Sequence, residues 1–258
     1  MRYRIVSTSP DVTEILCALG LFEDVVGVSR FCDWPPEVKI IPKVSDFVKV
    51  DLRAVEEMHP DLVVTSTYVQ KEIVQTLTAR HIRVLALHPF DLQSIFTNIR
   101  LLGDLFGRQF EAGDLVSRMK REFMEIQQEA SNFPRRPRVF CEEWGDPIIV
   151  GIGWIQEMIE IAGGISPYAR MIPAADTSRR TITAAELRRT NPEIILLAWC
   201  GMKGKANPKI LEGREGWREI DAVKNKRVFS VNDNLYVRAG PRLVEGAREI
   251  LRYVGEFQ

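Results

Sequence analysis

Two stretches decide the fold: AVEEMHPDLVVTS at 54–66 and AELRRTNPEIILLAW at 185–199. Each reads as a short helix, an X-Pro-acid turn and then a short apolar run bounded by turn signals. The turns are His59-Pro60-Asp61 and Asn191-Pro192-Glu193. An apolar run of that length is the pattern of a strand buried on both faces. A second strand ending in a polar loop follows each one, in RVLALHPFDL (83–92) and RVFSVNDNLY (227–236). One design appearing twice in the same order implies two similar α/β lobes.

Outward from these stretches, strand-like and helix-like segments alternate. Arg2–Ser7 and Val25–Ser29 read as strands. Between them lies a helix from about Asp11 to Leu19, with Ser9 as N-cap, Pro10 at its first position and Gly20 past its end. Val69–Ala79 and Asp91–Phe106 are helices on either side of the strand Arg83–Leu87. In the second half, Arg138–Glu142, Glu193–Trp199 and Arg227–Val231 are strands. Trp154–Ile161 is a helix, Thr183 to Glu186 spells a capping box, and Pro241 opens a last helix. Strands alternating with helices imply βαβ units and mainly parallel sheets. Residues 108–130 lack proline and place Leu115, Val116, Met119, Phe123 and Ile126 at helical spacing, a helix of roughly six turns. The expected organisation is an N-terminal α/β lobe over 1–107, a connecting backbone helix over 108–132 and a C-terminal α/β lobe over 133–258. A ligand cleft is expected between the lobes, because ligands of open α/β sheets bind outside the carboxyl ends of strands.

Composition narrows the function. The 258 residues carry 35 Lys+Arg against 35 Asp+Glu, so no basic excess is available to offset nucleic-acid phosphate. No apolar run reaches the roughly 18 residues of a membrane span. Only Ile5 and Val6 separate Arg4 from a polar loop, whereas a secretory leader needs an apolar core of about 7–15 residues. The chain as written is therefore expected in the cytosol, the alternative being a periplasmic or cell-surface domain whose leader has been removed. Cys17, Cys32, Cys141 and Cys200 form no CxxC pair and are expected as reduced thiols. Cys32 stands apart from the others, in the proline-rich loop Phe31-Cys32-Asp33-Trp34-Pro35-Pro36. Gly151-Ile152-Gly153 follows a strand and opens a helix, but Gln156 stands where a dinucleotide fingerprint needs its third glycine.

The strand ends are rich in aromatic residues. Phe31 and Trp34 follow the second strand, Phe47 lies in the next loop and Tyr68 follows Leu62–Ser66. Trp144 follows Arg138–Glu142, Trp199 ends its strand and Tyr236 follows the last one. Aromatic faces bury much area at low entropic cost, so such a set suits a large, flat, mostly apolar ligand. Asp233 and Arg238 are candidate polar handles, and His88 ends a strand on the same side.

These residues resemble the helical-backbone solute-binding proteins of ABC importers for cobalamin, haem and ferric siderophores, and most resemble the cobalamin-binding branch. The resemblance runs through IVSTSPDVTEILCALGL (5–21), VVGVSRFCDWPPEV (25–38), HPDLVVTS (59–66), EEWGDPIIVGIGWIQEMIEIAGG (142–164) and VRAGPRLVEGAREIL (237–251). It implies two α/β lobes bridged by one helix and a non-enzymatic protein. No intrinsic cofactor is implied, and the ligand is cobalamin or a related corrinoid. By resemblance Phe31, Phe47 and Arg238 occupy ligand-contact positions. Ser66 stands where a family tryptophan can stand, leaving Tyr68 as its replacement, and Gly153 replaces a histidine found in a related group. The implied partner is an ABC permease. Docking members carry a glutamate on each lobe, and Arg53 and Ala185 occupy those positions here.

Two other readings stay open. A ferric siderophore would draw on Arg170, Arg179 and Arg180, and haem would draw on His88 or Tyr68 as axial ligand. An enzyme of metal or corrinoid handling would use Cys32, Asp33 and His88.

Overall fold

The computed structural model describes residues 3–66, 68–172 and 176–258, with Tyr68 described by its backbone only. The chain divides into two compact units. Unit 1 comprises Met1–Pro89, Gln93–Arg118 and Ala239–Pro241, and unit 2 comprises Phe90–Leu92, Met119–Arg238 and Arg242–Gln258.

Unit 1 is built on five parallel strands: β1 (Ile5–Ser7), β2 (Val25–Ser29), β3 (Lys43–Ser45), β4 (Leu62–Ser66) and β5 (Val84–Leu87). Their order is β3-β2-β1-β4-β5. Interleaved with them are α1 (Pro10–Ala18), α2 (Leu52–Glu57) and α3 (Lys71–Thr78), with α4 (Leu92–Leu105) after β5. Ser9 is the N-cap of α1, Pro10 holds its first position and Gly20 takes a φ of 74° past its end, as the sequence implies. One side of the sheet packs Val6, Val44, Val55, Val63, Ile73 and Leu77 into a common core. These side chains come from strands and from the inner faces of α2 and α3, so burial rather than propensity holds the short helices in place.

The long helix α5 spans Gln109–Ala130, and it passes from unit 1 to unit 2 after Arg118. Its buried face is Ala112, Leu115, Val116, Met119, Phe123, Ile126 and Ala130, the three-and-four spacing of a single apolar stripe.

Unit 2 carries β6 (Val139–Gly145), β7 (Ile148–Val150), β8 (Thr181–Ile182), β9 (Ile194–Leu197) and β10 (Val228–Ser230), ordered β10-β9-β6-β7-β8. Its helices are α6 (Gly153–Ile161), α7 (Ala184–Thr190), α8 (Asp221–Lys224) and α9 (Leu243–Gly255). The sheets are mainly parallel, as expected, and the exceptions lie here. β10, β9 and β6 run parallel, but β6–β7 and β7–β8 are antiparallel. Only Asp146 and Pro147 separate β6 from β7, too few residues for the crossover that a parallel pair requires. The capping box at Thr183 is present in both halves, with Thr183 Oγ1 accepting from Glu186 N and the Glu186 carboxylate accepting from Thr183 N. That fixes the start of α7, and Leu187 carries the helix into a core with Phe140, Ile195, Leu197 and Trp217.

Gly153 opens α6. A β-carbon there would overlap the carbonyl oxygens of Phe90 and Ile172. Gly153 thus serves close backbone packing, and Gly151 makes room for the Ile155 side chain.

Candidate functional site

In unit 1 the strands deliver their loops by a repeated device. β1, β2, β3 and β4 all end in serine: Ser7, Ser29, Ser45 and Ser66, each buried. Two residues past the last three stand aromatic residues, Phe31, Phe47 and Tyr68. Ser29 Oγ donates to Asp46 O at 3.4 Å and accepts from Phe31 N at 3.4 Å, so one hydroxyl ties the two aromatic loops. The rings of Phe31 and Phe47 lie edge to face, 6.5 Å apart. Phe31, Trp34 and Phe47 are 47%, 45% and 45% exposed. Three large apolar side chains half open to water on adjacent loops form a patch of the kind that marks a binding surface. His88, past the end of β5, is also exposed. The Tyr68 side chain lies outside the described residues.

Beneath the patch the unit is polar. Gln70 is fully buried, as are Thr8 and Thr13. Thr13 Oγ1 donates to Ser7 Oγ at 2.8 Å and lies 3.1 Å from Cys32 Sγ. This corrects the expectation for Cys32. The thiol is 2% exposed and packs against α1, so the turn displays Phe31 and Trp34 while sinking Cys32. The reading of Cys32 as a reactive group beside Asp33 and His88 loses the exposure that a nucleophile needs. Asp11, in the first turn of α1, is also buried. Burial pushes its carboxyl pKa up, and the hydrogen bond from Ser9 Oγ offsets part of the shift.

Unit 2 distributes its expected site residues differently. Trp144 is exposed on the β6–β7 hairpin and donates Nε1–H to Asp146 O at 3.0 Å. Trp199 is half-buried and donates Nε1–H to Glu142 Oε1 at 2.9 Å. Glu142 is completely buried and takes a two-point contact from Arg214, at 2.7 and 2.9 Å, while Arg214 also donates to Gly145 O at 3.2 Å. The Arg214 guanidinium stacks 4.3 Å above the Trp217 ring. Burial raises the pKa of Glu142, and Arg214 opposes that shift. The neighbouring Glu143 has its own cation, Arg180, at 2.6 Å. Arg180 is 2% exposed and also donates to Val150 O, a buried structural arginine where the sequence suggests an open siderophore contact. Arg170 and Arg179 lie on either side of residues outside the description.

Three further expectations change on inspection. Tyr236 lies in the core with no exposure, its hydroxyl donating to Glu249 at 2.8 Å and its carbonyl accepting from Trp154 Nε1 at 2.7 Å. Asp233 is buried and accepts from Gly201 N at 2.8 Å and Lys203 N at 2.6 Å, which folds the loop after β9. Arg238 is buried too. All three lie past the end of β10, in and after a short helical turn, and sequence reasoning could not tell an inward side chain from an outward one. It also missed Gln70, Glu142 and Arg214. A signal existed only for Glu142, as the first of two adjacent charges that follow the apolar run Val139-Phe140-Cys141.

Among the described residues no group of three or more His, Cys, Asp and Glu side chains could hold a metal ion, and no helix is long and apolar enough to cross a membrane. Arg53 on α2 is exposed and paired with Glu57 at 2.9 Å, and Ala185 is exposed on α7.

With this geometry in place, comparison with known proteins gives the class. The model of a family described as periplasmic binding protein matches residues 5–235, and the chain belongs to that family. It is 34% identical to the uncharacterized ABC transporter substrate-binding lipoprotein YvrC of Bacillus subtilis, over 96% of this chain and 78% of that protein. It is 27% identical to a vitamin B12-binding protein of Salmonella choleraesuis, over 96% and 88%. The periplasmic heme-binding protein RhuT of Roseiflexus sp. RS-1, in apo form, superposes with a TM-score of 0.83 at 22% identity, covering 99% of each chain. That likeness establishes the fold.

Proposed function

We propose that this chain is the non-enzymatic substrate-binding component of an ABC importer, and that its ligand is cobalamin or a related corrinoid. The observation that carries the reading is the half-exposed aromatic patch of Phe31, Trp34 and Phe47 on unit 1, set over buried hydroxyls. A corrin ring offers a broad apolar face to such rings, and Trp144 gives unit 2 an exposed aromatic of its own. The relatives support the same reading through the vitamin B12-binding protein named above. No cofactor of its own is required, because capture and release need only shape and solvation.

The description of the Bacillus subtilis relative as a lipoprotein favours work outside the cytoplasm, the alternative that the sequence reading carried. The partner is then a membrane permease. Arg53 and Ala185 stand where docking members of the family carry glutamates, so this chain engages a permease surface of different charge pattern.

The test is a parallel visible-absorbance and calorimetric titration of the purified chain with cyanocobalamin, cobinamide and haemin. Micromolar or tighter binding of a corrinoid supports the proposal, and cobinamide reports whether the lower base matters. Binding of haemin alone moves the assignment to haem, with His88 or Tyr68 as the candidate ligand. Absence of binding by all three sinks the corrinoid reading.

A further inference from the structure

We infer that Gln70 is a positioning residue for the aromatic surface of unit 1, holding the loops after β1, β3 and β4 in one arrangement. It follows Tyr68-Val69 at the start of α3, where the sequence suggests an ordinary polar residue of a helix N-terminus. The structure places it elsewhere. Its side chain is completely buried, and all of its hydrogen-bonding capacity is spent on loop atoms. Nε2 donates to Thr8 O at 2.8 Å and to Phe47 O at 3.4 Å. Oε1 accepts from Ser66 N at 3.0 Å and from Thr8 Oγ1 at 3.1 Å. A side-chain amide offers two donors and two acceptor sites, and three separate loops take up all four.

The contact to Phe47 O matters most. It grips the backbone of an exposed aromatic residue whose ring is the edge-to-face partner of Phe31. One buried amide thus acts on Phe47 through its backbone, and on Phe31 through the ring contact, without touching the surface. An apolar residue of equal volume would fill the space but leave the Thr8 and Phe47 carbonyls and the Ser66 amide without these partners, and buried polar groups are costly to leave unmatched. The loops would then relax toward other partners, and the aromatic rings would move with them. The consequence for ligand affinity rests on the corrinoid-binding proposal above, and the consequence for ring order does not.

Gln70→Glu separates positioning from simple packing. It keeps shape and acceptors but, ionised, has no donor for Thr8 O and Phe47 O. Protonated, it regains one. Cyanocobalamin affinity would be measured for wild type, Gln70→Glu and Gln70→Met between pH 4.5 and 8. Asp11, its pKa raised by burial, is common to every variant, and Asp46, held below its ordinary value by the Lys49 and Val48 amides, stays ionised throughout, so the variant-to-wild-type ratio is the quantity read. At pH 7.5 both variants are expected to bind about tenfold more weakly. On acidification only Gln70→Glu recovers, and both effects shrink toward unity in a Phe47→Ala background. Without ligand, the ring signals of carbon-13-labelled Phe31 and Phe47 shift and broaden in Gln70→Met. A pH-independent loss in Gln70→Glu, a Gln70 effect undiminished by Phe47→Ala, or unchanged ring signals overturns the inference. If Phe47→Ala itself leaves affinity intact, the ligand assignment fails and the ring signals alone decide the role of Gln70.

Discussion

The rings of Phe31 and Phe47 meet edge to face at 81°, although one leaves β2 and the other leaves β3. The contact couples two loops that are separate in sequence, and it does so at the surface, where a ligand would add to it. Such pairs contribute about 0.5–1.5 kcal/mol beyond area burial. Phe47→Ala is expected to weaken corrinoid binding about tenfold, and Phe31→Ala similarly. The double variant should lose less than the product of the two, because each ring orients the other. Calorimetric titration of the four-protein cycle checks this, and strict additivity would show that the rings act alone.

Arg214→Met leaves the buried Glu142 carboxylate without its counter-charge. The expected cost is about 3–5 kcal/mol in urea unfolding. The pH dependence follows from the direction of the shift. Glu142 already ionises above its ordinary 4.5 in the folded chain, so folding favours its protonated form and stability falls as pH rises from there through the folded value. Removing Arg214 raises the folded value further. The deficit of the variant is therefore small below pH 4.5 and grows toward neutrality, and Glu142→Gln added to Arg214→Met should recover much of it.

Asp11→Asn tests the buried carboxyl of α1. Its folded pKa lies above 3.8 because of burial, so ionisation costs stability between 3.8 and the folded value and the cost persists at neutral pH. The variant is expected to melt higher than wild type at pH 7, with the two converging below pH 3.8. A lower melting temperature at pH 7 would mean that the hydrogen bond from Ser9 outweighs desolvation.

How much of this was legible in the sequence depends on what each residue's signal was. β2 and β4 were bounded to the residue, because Val25–Ser29 and Leu62–Ser66 are apolar runs between turn signals. The serine-capped β3 and the two-residue β8 were not, since two or three residues carry no periodicity. The patch of Phe31, Trp34 and Phe47 was legible, as large apolar residues among Pro, Asp and Ser. Tyr236 carries the same kind of signal and is buried, because its direction is set by Glu249 and Trp154, neither adjacent in sequence.

Native labelling with iodoacetamide at pH 8 should leave Cys32 unmodified, while labelling in urea modifies it. Cys17, its pKa pushed up to about 12 by burial first and nearby Cys32 second, should also resist. Fast native labelling of Cys32, read by mass spectrometry, would return it to the candidates for chemistry.

Gly153→Ala is expected to destabilise unit 2 by about 1–3 kcal/mol, because the added methyl must displace the carbonyls of Phe90 and Ile172. Urea unfolding at constant slope is the measurement, and a neutral result would show that those backbones yield easily.

The serines that close β2, β3 and β4 give the sheet of unit 1 a row of equivalent sockets. Each one ends a strand whose interior is apolar and opens a loop whose second residue is aromatic. The architecture is anchored below the serine, and what a visiting molecule meets is chosen above it. Exchange of phenylalanine for tyrosine or tryptophan at 31 or 47 changes the outer surface while the strands keep their register. A lineage built this way can be retuned from one flat ligand to another by altering side chains singly, without renegotiating the fold that carries them.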